Sequence, residues 1–242
     1  MTATMQHSAV GMGLYSLPDA VRLSGLPAST IRRCLAGYEY PARHGRRTGR
    51  PHFAGDFAQA TGGRTVVEAV SFRDLIELRF IAAFRDHDVS GHEIRRAAAA
   101  LAEKLQTSHP FCTRKFRTLA GKILLDLEDA AGIPRVLELA RNQQVMDAIV
   151  RPFTEDVHFE ENDPVLWRPS QGAGRVVLDP ARSFGRPLID RGAVPTATLH
   201  KTWLAEGKNA GTAARWYGVT PEDVEAAVSF ETHFGGRRAR AA

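Results

Sequence analysis

Small and basic side chains suited to reading DNA lie close together in the segment LPDAVRLSGLPASTIRRCL, residues 17–35. Ser29, Thr30, Arg32 and Arg33 all fall in its second half. Hydroxyl groups bind phosphate, and the guanidinium fork of arginine matches the O6 and N7 acceptors of guanine. These residue types therefore predict contacts to double-stranded DNA, with an operator as the expected site.

Two helices and a tight turn are expected to position these side chains. Leu17 and Ala20 share one face of the first helix, and Gly25 ends it. Ile31 and Leu35 form the buried side of the second helix, which leaves the arginine pair outside. This is the helix-turn-helix plan, in which the second helix faces the major groove. The solvated face of an ordinary surface helix has the same pattern, so this segment by itself leaves both interpretations open.

The strongly basic segment YEYPARHGRRTGRPHF follows directly. Glycine, proline and almost no acid accompany its cationic and imidazole side chains, which are Arg43, His44, Arg46, Arg47 and Arg50. An arm or wing of this kind runs along phosphates or enters a minor groove, so we predict that these five residues extend the DNA contact. A basic loop without a partner is the alternative. TVVEAVSF then alternates like a strand before a capped helix, which completes the order of a winged helix-turn-helix.

Charge is distributed unevenly along the 242 residues. The net charge is +5, but residues 1–55 carry +5 and residues 236–242 carry +3, which leaves the middle at −3. Positive charge at the two ends indicates a nucleic-acid or acidic partner. The absence of a membrane-length apolar run and of a secretory pattern predicts a soluble cytoplasmic protein. With two cysteines, neither a disulfide scaffold nor a thiolate metal site is expected.

The sequence predicts no catalytic, metal or cofactor site. The acidic segment FTEDVHFEENDP is expected to be extended, so its carboxylates point to opposite faces and do not converge. His109 and Cys112 lack the second Cys/His pair that a zinc site needs, and Cys34 is expected on the buried side of its helix. Phosphate-binding glycine loops and a G-x-S-x-G nucleophile motif are absent. We therefore expect a protein that is not an enzyme.

Helix starts and turns divide the chain. Four hydroxyl residues precede an acid by three positions, the capping-box pattern: Ser16/Asp19, Ser71/Asp74, Ser90/Glu93 and Thr220/Asp223. In the middle we predict a hairpin that turns at Leu119, Ala120 and Gly121, short strands at VLWRP and VVLDP, and a helix at NQQVMDAIVRPF. The expected fold class is mixed, mainly α. Its expected parts are a winged helix-turn-helix domain with a helix pair (1–107), a β-containing connecting segment (108–175) and a trihelical interaction domain with a basic tail (176–242).

The C-terminal unit is predicted to bind protein rather than DNA, for dimerisation or toxin docking; a cap that only stabilises the fold is the alternative. The outward acids of its third helix would repel phosphate; they are Glu222, Asp223, Glu225 and Glu231. Its aromatic residues are expected to form its core; they are Trp203, Trp216, Tyr217 and Phe230. After a Gly-Gly hinge, a flexible tail is predicted to carry the arginines that would enter an acidic nuclease site, Arg237, Arg238 and Arg240. A disordered solubilising tail is the alternative.

The run from Tyr15 to about Leu105 resembles the MerR-type winged helix-turn-helix, although it lacks that family's long dimerisation coiled coil. The C-terminal third resembles a short bacterial trihelical domain of unknown function. The matching residues are Gly185, Pro187, Ile189, Gly192, Val194 and Thr196 at its head and Tyr217, Val219, Thr220, Glu222, Val224 and Ala227 at its tail. The combination resembles one subgroup of VapB-type antitoxins, whose partners are PIN-like ribonucleases.

This resemblance implies the antitoxin of a type II toxin-antitoxin module. Such a protein would repress its own promoter as a homodimer and neutralise a PIN-like toxin, without a cofactor. Two alternatives stay open. One is a free-standing MerR-like transcriptional regulator with a C-terminal dimerisation or ligand domain, and the other is a nucleic-acid-associated scaffold.

Overall fold

The computed structural model describes residues 11–43, 45–61, 64–127 and 132–240. Over these ranges the protein is mainly helical with small two-stranded antiparallel sheets, which confirms the predicted fold class at that level. The helices are α1 Leu17–Ser24, α2 Ala28–Ala36, α3 Phe72–Asp86, α4 Gly91–Leu105, α5 Arg114–Leu125, α6 Pro134–Arg141, α7 Gln143–Asp156, α8 Thr196–Ala205, α9 Ala210–Tyr217 and α10 Pro221–Arg240. None of them is both long and apolar enough to cross a membrane.

The strands form four hairpin-like pairs among the described residues. Their bounds are β1 Tyr38–Ala42 with β2 Gly45–Gly49, β3 Ala58–Thr61 with β4 Arg64–Val67, β5 Val157–Glu160 with β6 Asp163–Trp167, and β7 Val176–Val177 with β8 Leu188–Ile189. The strands predicted at VLWRP and VVLDP correspond to β6 and β7. The strand predicted at TVVEAVSF is only partly formed, because β4 ends at Val67 and an isolated bridge joins Val70 to Tyr15.

Helices α1 and α2 form as the sequence predicts. Ser16 accepts a hydrogen bond from the amide of Asp19 at the start of α1. Gly25 ends that helix in the left-handed conformation, with φ 82°, which glycine adopts without a steric penalty. Ile31 and Leu35 on α2 are buried, so the two helices share one core.

The hairpin of β1 and β2 is attached closely to the end of α2. Gly37 joins them with φ 75°, and a Cβ at this position would collide with the carbonyl oxygen of Gly49. The amide of His52, just after the hairpin, donates to the carbonyl of Cys34 on α2 over 2.8 Å. The basic hairpin is therefore held beside α2 by backbone contacts at both of its ends.

Helix α3 lies at the centre of the apolar core and packs against α1, α2, α4, α7 and β6. The ring of Phe80 stacks on Phe153 of α7 with centroids 3.5 Å apart, and it meets Phe116 of α5 edge-on. All four predicted capping pairs are made, and those at Ser71, Ser90 and Thr220 are reciprocal. The starts of helices are thus the part of the fold that local sequence specifies best.

The hairpin predicted at residues 119–121 is wrong, because this region is helix α5. Thr113 caps the helix through the amide of Phe116, and Phe116, Ala120 and Leu124 recur at helical spacing on its buried side. Leu119 alone leaves helical geometry (φ −129°, ψ 23°), so α5 is kinked. The predicted helix at NQQVMDAIVRPF is confirmed as α7. That helix continues to Asp156, so the acidic segment predicted to be extended begins as helix.

The three helices predicted near the C-terminus are confirmed as α8, α9 and α10. Helix α10 packs on both of the others through Val224, Ala227 and Phe230, which are fully buried. The hinge predicted at Gly235 and Gly236 is wrong, since α10 runs without a break to Arg240. The reason lies in tertiary packing: buried Phe234, directly before the glycines, contacts the ring of Trp167 and anchors the helix there.

The first helix and the last helix are in direct contact. Arg22 of α1 pairs with Glu231 of α10 over 2.8 Å, and each side chain is only 12% exposed. The second oxygen of Glu231 accepts a hydrogen bond from Thr196 of α8. Nearby, the buried hydroxyl of Tyr15 donates to the carbonyl of Gly185 over 2.8 Å. The N-terminal helix pair and the C-terminal helices therefore belong to one packed body.

Candidate nucleic-acid interface

The outer face of α2 carries the side chains predicted to contact DNA. Ser29, Arg32 and Arg33 are exposed and Thr30 is half-buried, while Ile31 on the opposite side is buried. These four polar residues lie within five consecutive positions of one helix. A small and basic face of this kind can approach a groove closely.

Tyr38 links the arginine pair to a second basic helix. Its ring, 36% exposed, has the guanidinium carbon of Arg33 at 5.6 Å from the centroid and that of Arg95 at 5.8 Å. These are cation-π distances, so the tyrosine holds two cations from α2 and α4 on one surface. Sequence reasoning missed Arg95, because 57 positions separate it from Tyr38 and only the basic EIRR run of α4 hinted at it.

His52 lies beneath this surface, close to Arg95 and Arg85. Burial lowers the pKa of His52 to about 4, and the positive charge of Arg95 acts in the same direction. The imidazole is therefore neutral near pH 7, and the arginines supply the positive charge here. Arg85, at the exposed end of α3, extends the basic surface beyond the residues predicted from sequence.

The basic hairpin continues from this surface. Arg43 and Arg50 are exposed at its turn and just beyond its second strand. The backbone of β2 sets Arg46 opposite Pro41 and Arg47 opposite Tyr40. His44 lies outside the described residues. The hairpin thus follows α2, with its basic positions on or beside a two-stranded ribbon.

A separate buried polar cluster lies at the start of α3. Nε2 of His109 lies 2.8 Å from a carboxylate oxygen of Asp74, and donor atoms of Asp56, Asp74 and His109 fall within 4.8 Å of one another. A metal ion can bridge such a spacing. The two carboxylate oxygens of Asp74 already accept hydrogen bonds from His109 and from the amides of Asp56 and Ser71, so we assign this cluster to the capping of α3.

His109 of this cluster and the neighbouring Glu77 of α3 have shifted pKa values. Burial raises the pKa of Glu77 to about 7, although His109 and the amides of Phe111 and Cys112 favour its charged form. Burial opposes a charge on His109, but its hydrogen bond to Asp74 and the nearby Glu77 together raise its pKa above the usual value. The cluster therefore binds protons more tightly in the folded chain than in the unfolded chain.

The other residues considered for chemistry do not form a site in the described part of the chain. Cys34 is buried, and burial raises the pKa of its thiol to about 12, which leaves no thiolate for attack. The carboxylate of Asp156 accepts a hydrogen bond from the amide of Ser170, and Glu160 and Glu161 are exposed at the β5–β6 turn. The acidic segment therefore lies at the surface, and these carboxylates do not come together in one site.

Two predictions about the C-terminal helices are wrong. Trp216 is 70% exposed and Tyr217 is 38% exposed, so neither is core; Phe230 is buried as predicted, and Trp203 is half-buried. The reason is that α9 turns its alanines inward and its bulky C-terminal residues outward. Two of the acids predicted to face outward are instead paired inside the protein, Asp223 with Arg175 and Glu231 with Arg22.

Comparison with known proteins shows that the chain is similar to a curated protein and to a solved structure. The chain is 26% identical over 232 residues to a Mycobacterium tuberculosis protein named "Putative antitoxin VapB45", and the match covers 89% of this chain and 92% of that protein. The crystal structure of Rv2018 from Mycobacterium tuberculosis has the same fold, with TM-score 0.64 and 21% identity over 90% of this chain and 99% of that one. No family model matches the chain.

Proposed function

We propose that this protein is the antitoxin of a type II toxin-antitoxin module and represses its own promoter. The observation that carries the DNA-binding half is the exposed arginine pair of α2 beside the basic hairpin, with Arg95 on the same surface. The antitoxin half rests on similarity to a protein named as an antitoxin. In this proposal the protein acts in the cytoplasm and is not an enzyme.

In this proposal, α1, α2 and the first hairpin form a MerR-like winged helix-turn-helix within residues 1–107. Helix α2 enters the major groove of the operator, and the hairpin follows the phosphates as a wing. Ser29, Thr30, Arg32 and Arg33 contact bases and phosphates in the groove. The wing contacts come from the remaining predicted residues, Arg43, His44, Arg46, Arg47 and Arg50. Palindromic operators require a two-fold symmetric reader, so the DNA-bound form is proposed to be a homodimer.

Residues 176–242 are proposed to neutralise a PIN-like ribonuclease. The acidic carboxylates of such a nuclease site attract guanidinium groups, which pair with them bidentately. The arginines proposed for this role are Arg237, Arg238 and Arg240 at the end of α10. Deletion of residues 235–242 is expected to weaken inhibition of the nuclease, and undiminished inhibition would rule out this role for the tail.

Gel-shift titrations on the chain's own promoter and on a scrambled duplex test the DNA contact. If Arg32 or Arg33 binds guanine bidentately, its change to Ala costs about 1 to 3 kcal/mol on the promoter, roughly 5- to 150-fold, and much less on the scrambled duplex. Arg151→Ala, an exposed arginine on α7, is the matched control and should bind as wild type does. Unchanged affinity of both variants on both duplexes would refute the assignment of α2.

The partner is tested first by whether a PIN-like open reading frame abuts this gene, and then by co-expression with its product. We expect the two to co-purify in a fixed ratio and the complex to lack ribonuclease activity. A wild-type chain that neither binds nor inhibits that protein would refute the antitoxin assignment. In that event specific promoter binding would support a free-standing regulator instead.

A further inference from the structure

Three arginines from three different helices gather around Tyr38 and His52, at the edge of the predicted DNA contact. We name them the arginine clamp and define it as Arg33 of α2, Arg85 of α3 and Arg95 of α4. The guanidinium carbons of Arg33 and Arg95 lie 5.6 and 5.8 Å from the ring centroid of Tyr38. Two of the three cations are therefore held by one aromatic ring.

The start of α4 connects Arg85 to the other two arginines. A Cβ atom at Gly91 would lie 3.6 Å from Nη1 of Arg85 and 3.6 Å from Nε2 of His52, so these two side chains meet over the first residue of the helix. Arg95 follows Gly91 by four positions, and residues at this spacing share one face of a helix. The clamp is therefore one continuous surface, which runs from Arg85 across α4 to Arg33.

The clamp has no acidic counter-ion among the side chains that the structure describes, since none of their ion pairs includes one of its three arginines. Three acids are close to it in sequence. Asp86 and Asp88 are exposed at the end of α3 and just beyond it. Glu93 of α4 instead accepts hydrogen bonds from the amides of Ser90 and Arg135. The positive charge of the clamp is therefore available to a bound anion.

Two less exposed groups beside the clamp respond to its charge. Burial lowers the pKa of His52 to about 4, and the charges of Arg95 and Arg85 act in the same direction. Burial raises the pKa of the Cys34 thiol to about 12, although the same two charges favour the thiolate. Because like charges held close together repel each other, an anion bound among them would relieve that repulsion.

Phosphate is the anion that suits the clamp. Guanidinium groups pair with phosphate oxygens through parallel N–H donors, and arginine is the preferred residue for this recognition. Nε of Arg95 is buried and has no hydrogen-bond partner in the described part of the chain, so a donor is available there. The clamp also adjoins α2 and the first hairpin through Arg33 and Tyr38. A phosphate bound here would belong to a DNA strand that passes α2.

We infer that the arginine clamp binds one backbone phosphate of the operator and that Arg32, not Arg33, is the arginine of α2 that reads a base. This inference rests on the proposed DNA-binding function and divides its contacts between the two arginines. Arg33 lies in the last turn of α2 and is held by Tyr38, whereas base contacts come from the earlier part of a recognition helix. Arg32 is exposed one position earlier, where its guanidinium can pair with guanine.

Fluorescence anisotropy of the full-length chain on the promoter and on a scrambled duplex, at several salt concentrations, tests the clamp. The slope of log affinity against log salt is about −0.9 per phosphate contact, so loss of one contact at 0.1 M salt weakens binding roughly eightfold. Arg85→Ala and Arg95→Ala should each weaken binding to both duplexes by up to about this factor. The double variant should flatten the slope by about 0.9 rather than about 1.8, because both arginines hold the same phosphate.

Arg96→Ala is the matched control for these variants. It removes one charge from the next position of α4, but Arg96 lies against Gly132, where a Cβ atom would be 3.0 Å from its Nε atom. This variant should bind both duplexes within about twofold of wild type, because salt screens its charge from the clamp. Thermal unfolding followed by circular dichroism verifies that each variant folds. Arg85 is exposed, so Arg85→Ala keeps the test decisive if Arg95→Ala does not fold.

Promoter duplexes that each carry one changed base pair test the division between the two arginines of α2. Arg32→Ala should lose the preference of wild type for one base pair, because the side chain that pairs with that base is gone. Arg33→Ala should keep every base preference and weaken binding to all the duplexes by the same factor, as loss of a phosphate contact does.

Each outcome decides between the alternatives. If wild type prefers the promoter but Arg85→Ala and Arg95→Ala bind as wild type does at every salt concentration, the clamp is wrong while operator recognition stands. If wild type has no preference for the promoter, the proposed function and the inference both fail. A slope flattened by about 1.8 in the double variant would overturn the shared phosphate, and a lost base preference in Arg33→Ala would overturn the division of roles.

A thermal-shift measurement with inorganic phosphate and no DNA distinguishes a free anion from the DNA backbone. If phosphate stabilises wild type but not Arg85→Ala, while the two proteins bind the promoter equally, the clamp holds a free phosphorylated molecule and its role on the operator is overturned. If Arg85→Ala loses promoter affinity as expected, the DNA backbone is the source of the phosphate.

Discussion

The ion pair between Arg22 and Glu231 is predicted to couple the first helix energetically to the last. The charged atoms are 2.8 Å apart and each side chain is 12% exposed. At an effective dielectric constant of about 20, the gross attraction is about 6 kcal/mol, much of which offsets desolvation. Removal of one partner leaves a buried charge uncompensated, and we therefore expect Arg22→Met and Glu231→Leu each to lower the free energy of unfolding by about 3 kcal/mol.

The double variant distinguishes this coupling from two independent packing effects. With both charges removed, no buried ion stays unpaired, and the remaining loss comes mainly from Thr196, whose hydroxyl donates to Glu231. We expect the double variant to be less destabilised than the sum of the single variants by about 2 to 3 kcal/mol. Urea unfolding followed by tryptophan fluorescence and by circular dichroism gives these values. Additivity within about 0.5 kcal/mol would refute the coupling.

Three further predictions concern the hairpin, its junction and the buried cluster. Neutralising both Arg46 and Arg47 should flatten the log-log salt dependence of DNA binding by about 1.8, and an unchanged slope would remove the wing from the interface. Gly37→Ala should reduce both stability and DNA affinity, because residue 37 has a positive φ and its new Cβ would collide with the carbonyl oxygen of Gly49. A variant whose thermal unfolding and gel shifts equal those of wild type would contradict this. Glu77 and His109 have raised pKa values, so the stability they contribute is complete below their unfolded pKa values and is lost as pH rises. Relative to wild type, Glu77→Gln should therefore gain stability from pH 5 to 8. A difference in urea midpoint between the variant and wild type that does not change with pH would refute the raised pKa of Glu77.

Local features of the fold could be predicted from sequence. Hydroxyl-acid pairs placed the starts of α1, α3, α4 and α10, because capping depends on residues three positions apart. Helical spacing predicted that Ile31 and Leu35 are buried and the neighbouring arginines exposed, as they are.

Features that depend on distant contacts could not be predicted in this way. The run ILLDL has strand-like composition, but its first three residues end helix α5, which a cap at Thr113 and a buried stripe beginning at Phe116 stabilise. From their charge alone, Asp223 and Glu231 were expected at the surface. Their arginine partners are 48 and 209 positions away in the sequence, so local patterns do not reveal the two ion pairs. The outward direction of Trp216 depends on which face of α9 packs against α8 and α10, and the sequence of a short helix does not specify that choice.

In the proposed function, this chain recognises its own operator through α2 and the adjacent hairpin. Fluorescence anisotropy at physiological salt, with labelled promoter DNA and a scrambled duplex of equal length and composition, measures the specificity directly. We expect binding to the promoter to be at least about a thousandfold tighter than binding to the scrambled duplex. Equal affinity for the two duplexes would contradict it.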